Sequence, residues 1–390
     1  MLRRYWEQLK ESIRKGDMVL LILCLVATGF GCLVVASTTN YMGAARYLVV
    51  QIAAALLGVL MFFVVSSIDA ETLSEIRLPL VIFNVVLLLT LVPFGTDNGT
   101  GNRSWLDIPF LPFDIQPAEI CKITYVLIMA SVMSAYQNRV SSVKAILHMA
   151  LHLGILVGLN LVLSGDFGVS LIFVFIFLIM AFIGGVSMLW FGAAAGTVAL
   201  LGPFIWNNVL SEYHRLRFEV LFNPELDAAG VGIRWHTKQS LKSLTGGGLL
   251  GQGLFEGNRT QQGYLLNAQH TDYIFSASGE ELGFIGCLGV TILLVLIVAR
   301  CIWVGTQSQD FLRRMICFGC SAALILQILV NIGMCLGVMP VIGLTLPFIS
   351  YGGSSIVTIY AMLGLVSGVY ARPSATSHER YIRPPLSTYR

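Results

Sequence analysis

Ten apolar runs, each about 17–24 residues long, alternate with polar connections: 18–37, 47–66, 78–94, 118–136, 145–163, 168–186, 188–206, 283–303, 313–336 and 352–371. A helix rises about 1.5 Å per residue and a bilayer's hydrocarbon core is about 30 Å thick, so each run matches one crossing. The pattern predicts an all-α polytopic membrane protein with ten transmembrane helices in a single integral membrane domain, residues 1–390. Most connections are short. The exception is 207–282, between the seventh and eighth helices, and a long connection that keeps charged and apolar groups together is usually functional. Two further polar stretches, GTDNGTGNRSWLDI within 95–117 and GVMPVIGLTLPFISY at 337–351, are expected to meet it on the same face.

Composition agrees with a lipid-embedded chain. Of 390 residues 56% are hydrophobic and 12% charged, and mean hydropathy is +0.79. Soluble domains carry about 25% charge. With the N-terminus inside, the inner segments collect Arg3, Arg4, Lys10, Arg14, Lys15, Arg77, Arg139, Lys144, Arg300, Arg313, Arg314, Arg372, Arg380, Arg383 and Arg390. The short outer loops before residue 207 hold only Arg46 and Arg103. The positive-inside rule then makes residues 1–17 a cytoplasmic arm, 207–282 a large extracytoplasmic loop and 372–390 a cytoplasmic tail, both termini being cytoplasmic. The arm runs into a full-length helix with no small-residue cleavage pattern. A net charge of +3 gives no reason to invoke nucleic acid. The eight cysteines fall in or beside apolar runs and read as packing residues, the pair Cys317 and Cys320 included. GGGLLG at 246–251 lacks the flanking βαβ context of a dinucleotide site, and Asp166-Phe167-Gly168 lacks every other kinase part.

The chemistry concentrates in HTDYIFSASGEELG, residues 270–283, at the mouth of the eighth run. If its helix continues straight upward, Glu280 and Glu281 lie at the hydrocarbon boundary. Asp272 then lies about 12 Å above them, at headgroup height. A carboxylate there can act as a proton acceptor, and Thr271 or Asp272 can also cap the helix. Glu119 and Lys122, at i and i+3, share a helix face and can form an ion pair or line a cavity. Gly352-Gly353-Ser354-Ser355 opens the last run with small residues.

Several ordered motifs carry a resemblance. GNRSWLDI (101–108), QPAEICKI (116–123), YHRLRFEVLFNPE (213–225), QSLKSLTGGGLLGQGLFEG (239–257), HTDYIFSASGEELG and NIGMCLGVMPVIGLTLPFISYGGSS (331–355) resemble, over about 18–371, the signatures of the SEDS family (shape, elongation, division and sporulation). Its RodA, FtsW and SpoVE members are bacterial cell-wall polymerases. The chain departs from the family at Asn267-Ala268, where Pro-Glu is common, and at Gly165-Asp166-Phe167-Gly168-Val169.

The resemblance implies a peptidoglycan glycosyltransferase of the bacterial plasma membrane. Its substrate is lipid II, a disaccharide-peptide on polyprenyl pyrophosphate. Its product is a β-1,4 glycan strand formed with inversion, and its partner a class B penicillin-binding protein. Asp272 is then the catalytic base. Arg103, Glu119, Lys122, Arg215, Arg217, Lys238, Lys242, Arg259, His270, Glu281 and Ser354 are the expected substrate-binding residues. The basic ones are suited to the pyrophosphate because arginine meets phosphate oxygens in pairs. A divalent cation could share that task, although no ligand spacing demands one. No other cofactor is implied. The short tail resembles RodA, while Leu344-Thr345-Leu346-Pro347 resembles FtsW or SpoVE; RodA and cell elongation are the expected assignment. A lipid-linked precursor flippase or transporter would also use ten spans and buried acids. A scaffold would not need acids at the mouth of a span.

Overall fold

A computed structural model describes residues 14–43, 45–97, 102–109, 111–208, 212–227, 230, 232–263 and 268–372. The readings that involve Arg3, Arg4, Lys10, Asn267, Arg380, Arg383 and Arg390 lie outside these residues.

The molecule is an all-helical membrane protein. Its helices are α1 (Met18–Asn40), α2 (Ala45–Ser67), α3 (Ala70–Glu75), α4 (Arg77–Leu89), α5 (Leu91–Phe94), α6 (Pro117–Ala135), α7 (Val143–Ser164), α8 (Phe167–Ile183), α9 (Met188–Asn208), α10 (Glu212–Phe222), α11 (Trp235–Gly247), α12 (Ile274–Gln307), α13 (Phe311–Cys335) and α14 (Gly353–Ala371). One two-stranded antiparallel ribbon joins β1 (Gly95–Thr96) to β2 (Trp105–Leu106). Among the described residues nine helices are long and apolar enough to cross a membrane, with α4 and α5 counted as one. Helix α8 is apolar but has 17 residues. Each of the ten apolar runs is therefore helical.

Helix starts follow local chemistry. Asp17, Ser142, Asp166 and Asp310 each accept a backbone N–H at the head of α1, α7, α8 and α13. Pro117 and Glu119 open α6, where a missing N–H and a negative charge are both favourable.

The most enclosed helices are α6, α13 and α14. Helix α14 lies along α2, with α13 between α12, α6 and α8. The α2–α14 contact is close because of a glycine: a Cβ on Gly364 would stand 2.6 Å from the Phe62 carbonyl oxygen. Around the perimeter Val162, Leu189 and Leu200 are about four-fifths exposed and face where lipid must lie. Among the described residues, none in the apolar window of α9 is buried. At one end of the bundle, Asp17 pairs with Arg300 at 2.8 Å, and Arg313 reaches Asp69 and Glu71 at 3.3 and 3.4 Å.

The straight-helix expectation for 272–299 fails. Helix α12 spans 34 residues, about 51 Å at 1.5 Å per residue and too long for one crossing. Gly283 breaks it, with φ 67° and ψ −167°. The backbone of 248–251 passes directly against the break: a Cβ on Gly283 would meet Gly251 N at 2.3 Å and the Leu249 carbonyl oxygen at 2.5 Å. Phe284 N–H donates to the Gly248 carbonyl at 2.9 Å, and Gly253 N–H to that of Glu281 at 2.9 Å. The nine residues 274–282 form a separate short helix packed against α11. The 207–282 segment thus carries α10, α11 and this short helix.

Candidate functional site

The short helix and the α13–α14 connection fix the backbone on either side of Asp272. Asn331 Nδ2 donates both to the Asp272 carbonyl (3.0 Å) and to the Leu344 carbonyl (2.7 Å). Ser350 Oγ donates to the Thr271 carbonyl at 2.6 Å, and Tyr351 N–H to the His270 carbonyl at 2.8 Å. The stretch 270–272 is therefore held from three positions of a different part of the chain. The neighbouring loop stores strain at Phe348, a buried non-glycine residue with φ 66°.

Asp272 does not cap the helix. The cap position is Tyr273, and no side-chain bond closes it. The Asp272 carboxylate instead faces Gly343, whose ideal Cβ position lies 3.6 Å from Oδ2. Burial pushes its pKa up to about 6, Arg217 pulls it down, and Asp166 pushes it up. Asp272, Arg217 and Asp166 therefore feel one another across three separate segments.

Arg217 is positioned by its own bond, Nη1 to the Val341 carbonyl at 2.8 Å. Asp166 caps α8 through Oδ1, and its Oδ2 accepts from Gln116 Nε2 at 2.9 Å. Its pKa is also raised, mainly by burial, although backbone bonds oppose this; Glu119 adds to the rise and Lys122 opposes it. Lys122 and Glu119 form a buried pair at 2.7 Å, and Thr358 Oγ1 donates to the other Glu119 oxygen at 3.0 Å. The Gln116 N–H donates to Ser354 Oγ at 3.2 Å. The outer stretches thus meet around a polar centre in which Gln116, Glu119, Lys122, Ser354 and Thr358 are buried and Arg217, Asp272 and Asp166 are partly exposed.

Other expected site residues lie elsewhere. Glu281 is held by Ser37 Oγ (2.6 Å) and Gln261 Nε2 (2.9 Å), joining α1 to the large loop. Its neighbour Glu280 accepts from Arg259 N (2.6 Å), Thr260 N (3.2 Å) and Thr260 Oγ1 (2.9 Å). The two acids therefore staple the large loop to the helix break, where acids at the hydrocarbon boundary were expected. His270 packs its ring on Tyr47 and Tyr351 at 4.8 and 5.5 Å, and burial lowers its pKa to about 4. Arg259 bonds Gln239. Arg103 donates to the Gly95 carbonyl beside the ribbon. Lys238 and Lys242 are exposed along α11. Arg215 is half-buried with its Nε unpartnered among the described residues. Among the described residues no group of three or more His, Cys, Asp or Glu could hold a metal ion.

Sequence reading passed over Asp166, Gln116, Asn331 and Thr358 as site residues. The available signal was polarity: an amide or acid beside an apolar run is costly unless partnered.

A family model described as cell cycle protein, covering FtsW, RodA and SpoVE, matches residues 17–374. The probable peptidoglycan glycosyltransferase FtsW of Trichlorobacter lovleyi is 33% identical over 364 residues, covering 91% of this chain and 93% of that one. The peptidoglycan glycosyltransferase MrdB of Escherichia coli K12 is 30% identical over 357 residues, with 91% and 93% covered. Among solved structures, a chain from a work on structural coordination of polymerization and crosslinking by a peptidoglycan synthase complex superposes with TM-score 0.77 at 27% identity, covering 94% of this chain and 99% of that one. The Rod shape determining protein RodA of Thermus thermophilus gives TM-score 0.68 at 26% identity, with 92% and 98% covered.

Proposed function

The chain belongs to the FtsW, RodA and SpoVE family of cell cycle proteins, and from that premise we propose that it is a peptidoglycan glycosyltransferase that polymerises lipid II. The observation that carries the reading is the Asp272 carboxylate, set on backbone fixed by Asn331 and Ser350, with burial raising its pKa to about 6 and the Arg217 charge opposing that rise. In an inverting transfer the acceptor sugar hydroxyl attacks the donor's anomeric carbon and loses its proton. The bond from that carbon to the pyrophosphate oxygen breaks as the new glycosidic bond forms. Asp272 takes the proton, because an ionised carboxylate with a pKa near the working pH is an effective base. Arg217 and Arg215 meet the charge that builds on the departing pyrophosphate, as paired guanidinium N–H groups do for phosphate oxygens. Lys238, Lys242, Arg259 and Arg103 supply a wider positive field. Asp166, Gln116 and the Glu119–Lys122 pair complete the polar surroundings of Asp272.

The site then faces outward, with both termini cytoplasmic, a topology supported by the distribution of Lys and Arg. A cysteine-free variant carrying a single probe at position 236 tests it: labelling in intact cells is expected, and labelling only after permeabilisation overturns it. The partner we assign is a class B penicillin-binding protein, supported by the likeness to a chain of a peptidoglycan synthase complex. The cellular process we assign is elongation, supported by the MrdB and RodA likenesses; the FtsW relatives make division the competing assignment. Depletion in the source bacterium separates them, since loss of elongation rounds rods and loss of division makes filaments. Incubation of purified protein with lipid II tests the activity: a polymer that lengthens with time is expected, whereas lipid II moved across vesicles without polymer would indicate a flippase.

A further inference from the structure

Three polar side chains meet inside the bundle, at positions the proposed reaction does not use. Asn84 of α4, Tyr125 of α6 and His152 of α7 line one pocket, with Val81, Ile128 and Leu156 among its apolar walls. Counting from each helix start at about 1.5 Å per residue, all three lie about 10–14 Å along their helices, well inside the hydrocarbon layer. Asn84 is 1% exposed and Tyr125 is fully buried. Asn84 Nδ2, Tyr125 Oη and His152 Nε2 are each buried without a hydrogen-bond partner among the described residues. A buried polar atom left unpaired is unfavourable, and three around one pocket are more so.

The rest of each side chain is accounted for. Asn84 Oδ1 accepts from Thr124 Oγ1 at 2.5 Å, which turns the amide nitrogen away from Thr124. The Tyr125 ring packs edge-on against Phe173, with centroids 5.4 Å apart, which fixes where its hydroxyl points. The His152 ring lies 5.0 Å from that of His148 on the same helix. The pocket that the three residues line holds about 10 Å³. That is about the minimum for one water, and a stable internal water needs two to four polar partners.

We propose that Asn84, Tyr125 and His152 bind one internal water that joins α4, α6 and α7 within the membrane. The donors and acceptors balance. The water accepts from the Asn84 amide N–H and the Tyr125 hydroxyl. It donates to His152 Nε2, which is free when the neutral imidazole carries its proton on Nδ1. Three of the water's four bonding positions are filled in this way. In lipid, where no bulk water can serve these groups, such a bridge replaces three unfavourable vacant bonds with a link among three helices.

The test is a map of the full chain in lipid nanodiscs at a resolution that shows ordered water. A single compact peak within about 3.2 Å of the three atoms is expected. No peak, an elongated density from an acyl chain, or side chains turned to bond one another would overturn the assignment. A second measurement uses Asn84→Leu, Tyr125→Phe and the double variant. If one water is shared, Tyr125→Phe lowers the melting temperature less in the Asn84→Leu background than in the parental chain. Equal shifts in both backgrounds count against a shared water. Should Asn84→Leu fail to fold, the parental map decides alone. None of the three residues belongs to the Asp272 centre, so the outcome is independent of the glycosyltransferase reading.

Discussion

If Asp272 is the base, the pH profile of polymerisation should follow its carboxylate. Burial moves that group from an ordinary 3.8 to about 6. The base works only when ionised. With a pKa near 6 the ionised fraction is about 0.09 at pH 5 and about 0.9 at pH 7, so the rate should rise about tenfold across that interval. A carboxylate left at 3.8 would be more than about nine-tenths ionised at both values and the profile would be flat. The neighbours supply internal controls. Arg217 favours the charged form, so Arg217→Ala should move the midpoint upward. Asp166 disfavours it, so Asp166→Asn should move the midpoint downward. The assay is the initial rate of glycan formation from lipid II between pH 5 and 8, with protein integrity checked at each pH by its melting curve. A flat profile, or midpoints that ignore both substitutions, would refute the reasoning. The same displacement bears on stability. Because the folded-state value lies above the unfolded one, ionisation opposes folding. That penalty grows as pH rises from about 3.8 to about 6 and is complete above it. Asp272→Asn should therefore keep or raise the melting temperature at pH 7.

Three further substitutions probe the surroundings. Arg217→Ala removes one charge-assisted contact, and a loss of about 1.5–3 kcal/mol predicts a kcat/KM lower by about 10–150-fold; parental kinetics in both Arg217→Ala and Arg215→Ala would move the leaving-group role to Lys238, Lys242 or Arg259. Glu280→Gln weakens the acceptor for three donors at residues 259–260 and should destabilise by about 1–3 kcal/mol, read as a lower melting temperature; an unchanged melting curve would remove the stapling role. Gly283→Ala places a Cβ against the 249–251 backbone at a positive φ and should destabilise by more than about 1 kcal/mol; a silent substitution would mean that the helix break is not held as described.

The membrane architecture was legible because a span is a length of apolar chain, and each of the ten runs is helical. Asp272 was legible as an acid at the mouth of a span, and Arg217 as a nearby cation with no assigned neighbour. Their juxtaposition was not legible, because residues 166, 217, 272 and 343 come together only through tertiary packing. The break at Gly283 was hidden for a related reason. A glycine inside an apolar run reads as ordinary transmembrane sequence until another backbone, here that of 249–251, is seen to need its space. Once the helix is broken, Glu280 and Glu281 turn inward as acceptors for loop donors, and the expectation of one straight helix carrying them at the hydrocarbon boundary fails. Cap chemistry misled in both directions: Asp272 stands beside a helix start it does not cap, whereas Asp166 caps α8 and also belongs to the polar centre.

The most direct test of the central claim is lipid II polymerisation by the Asp272→Asn variant, run beside its melting curve. Asparagine keeps the side chain's size and removes the capacity to hold the acceptor's proton. Insertion and melting temperature should be at least parental, and polymerisation should fall about 10²-fold or more, the scale of a lost general base. Full polymerising activity in a variant that melts like the parent would contradict the claim that Asp272 is the base.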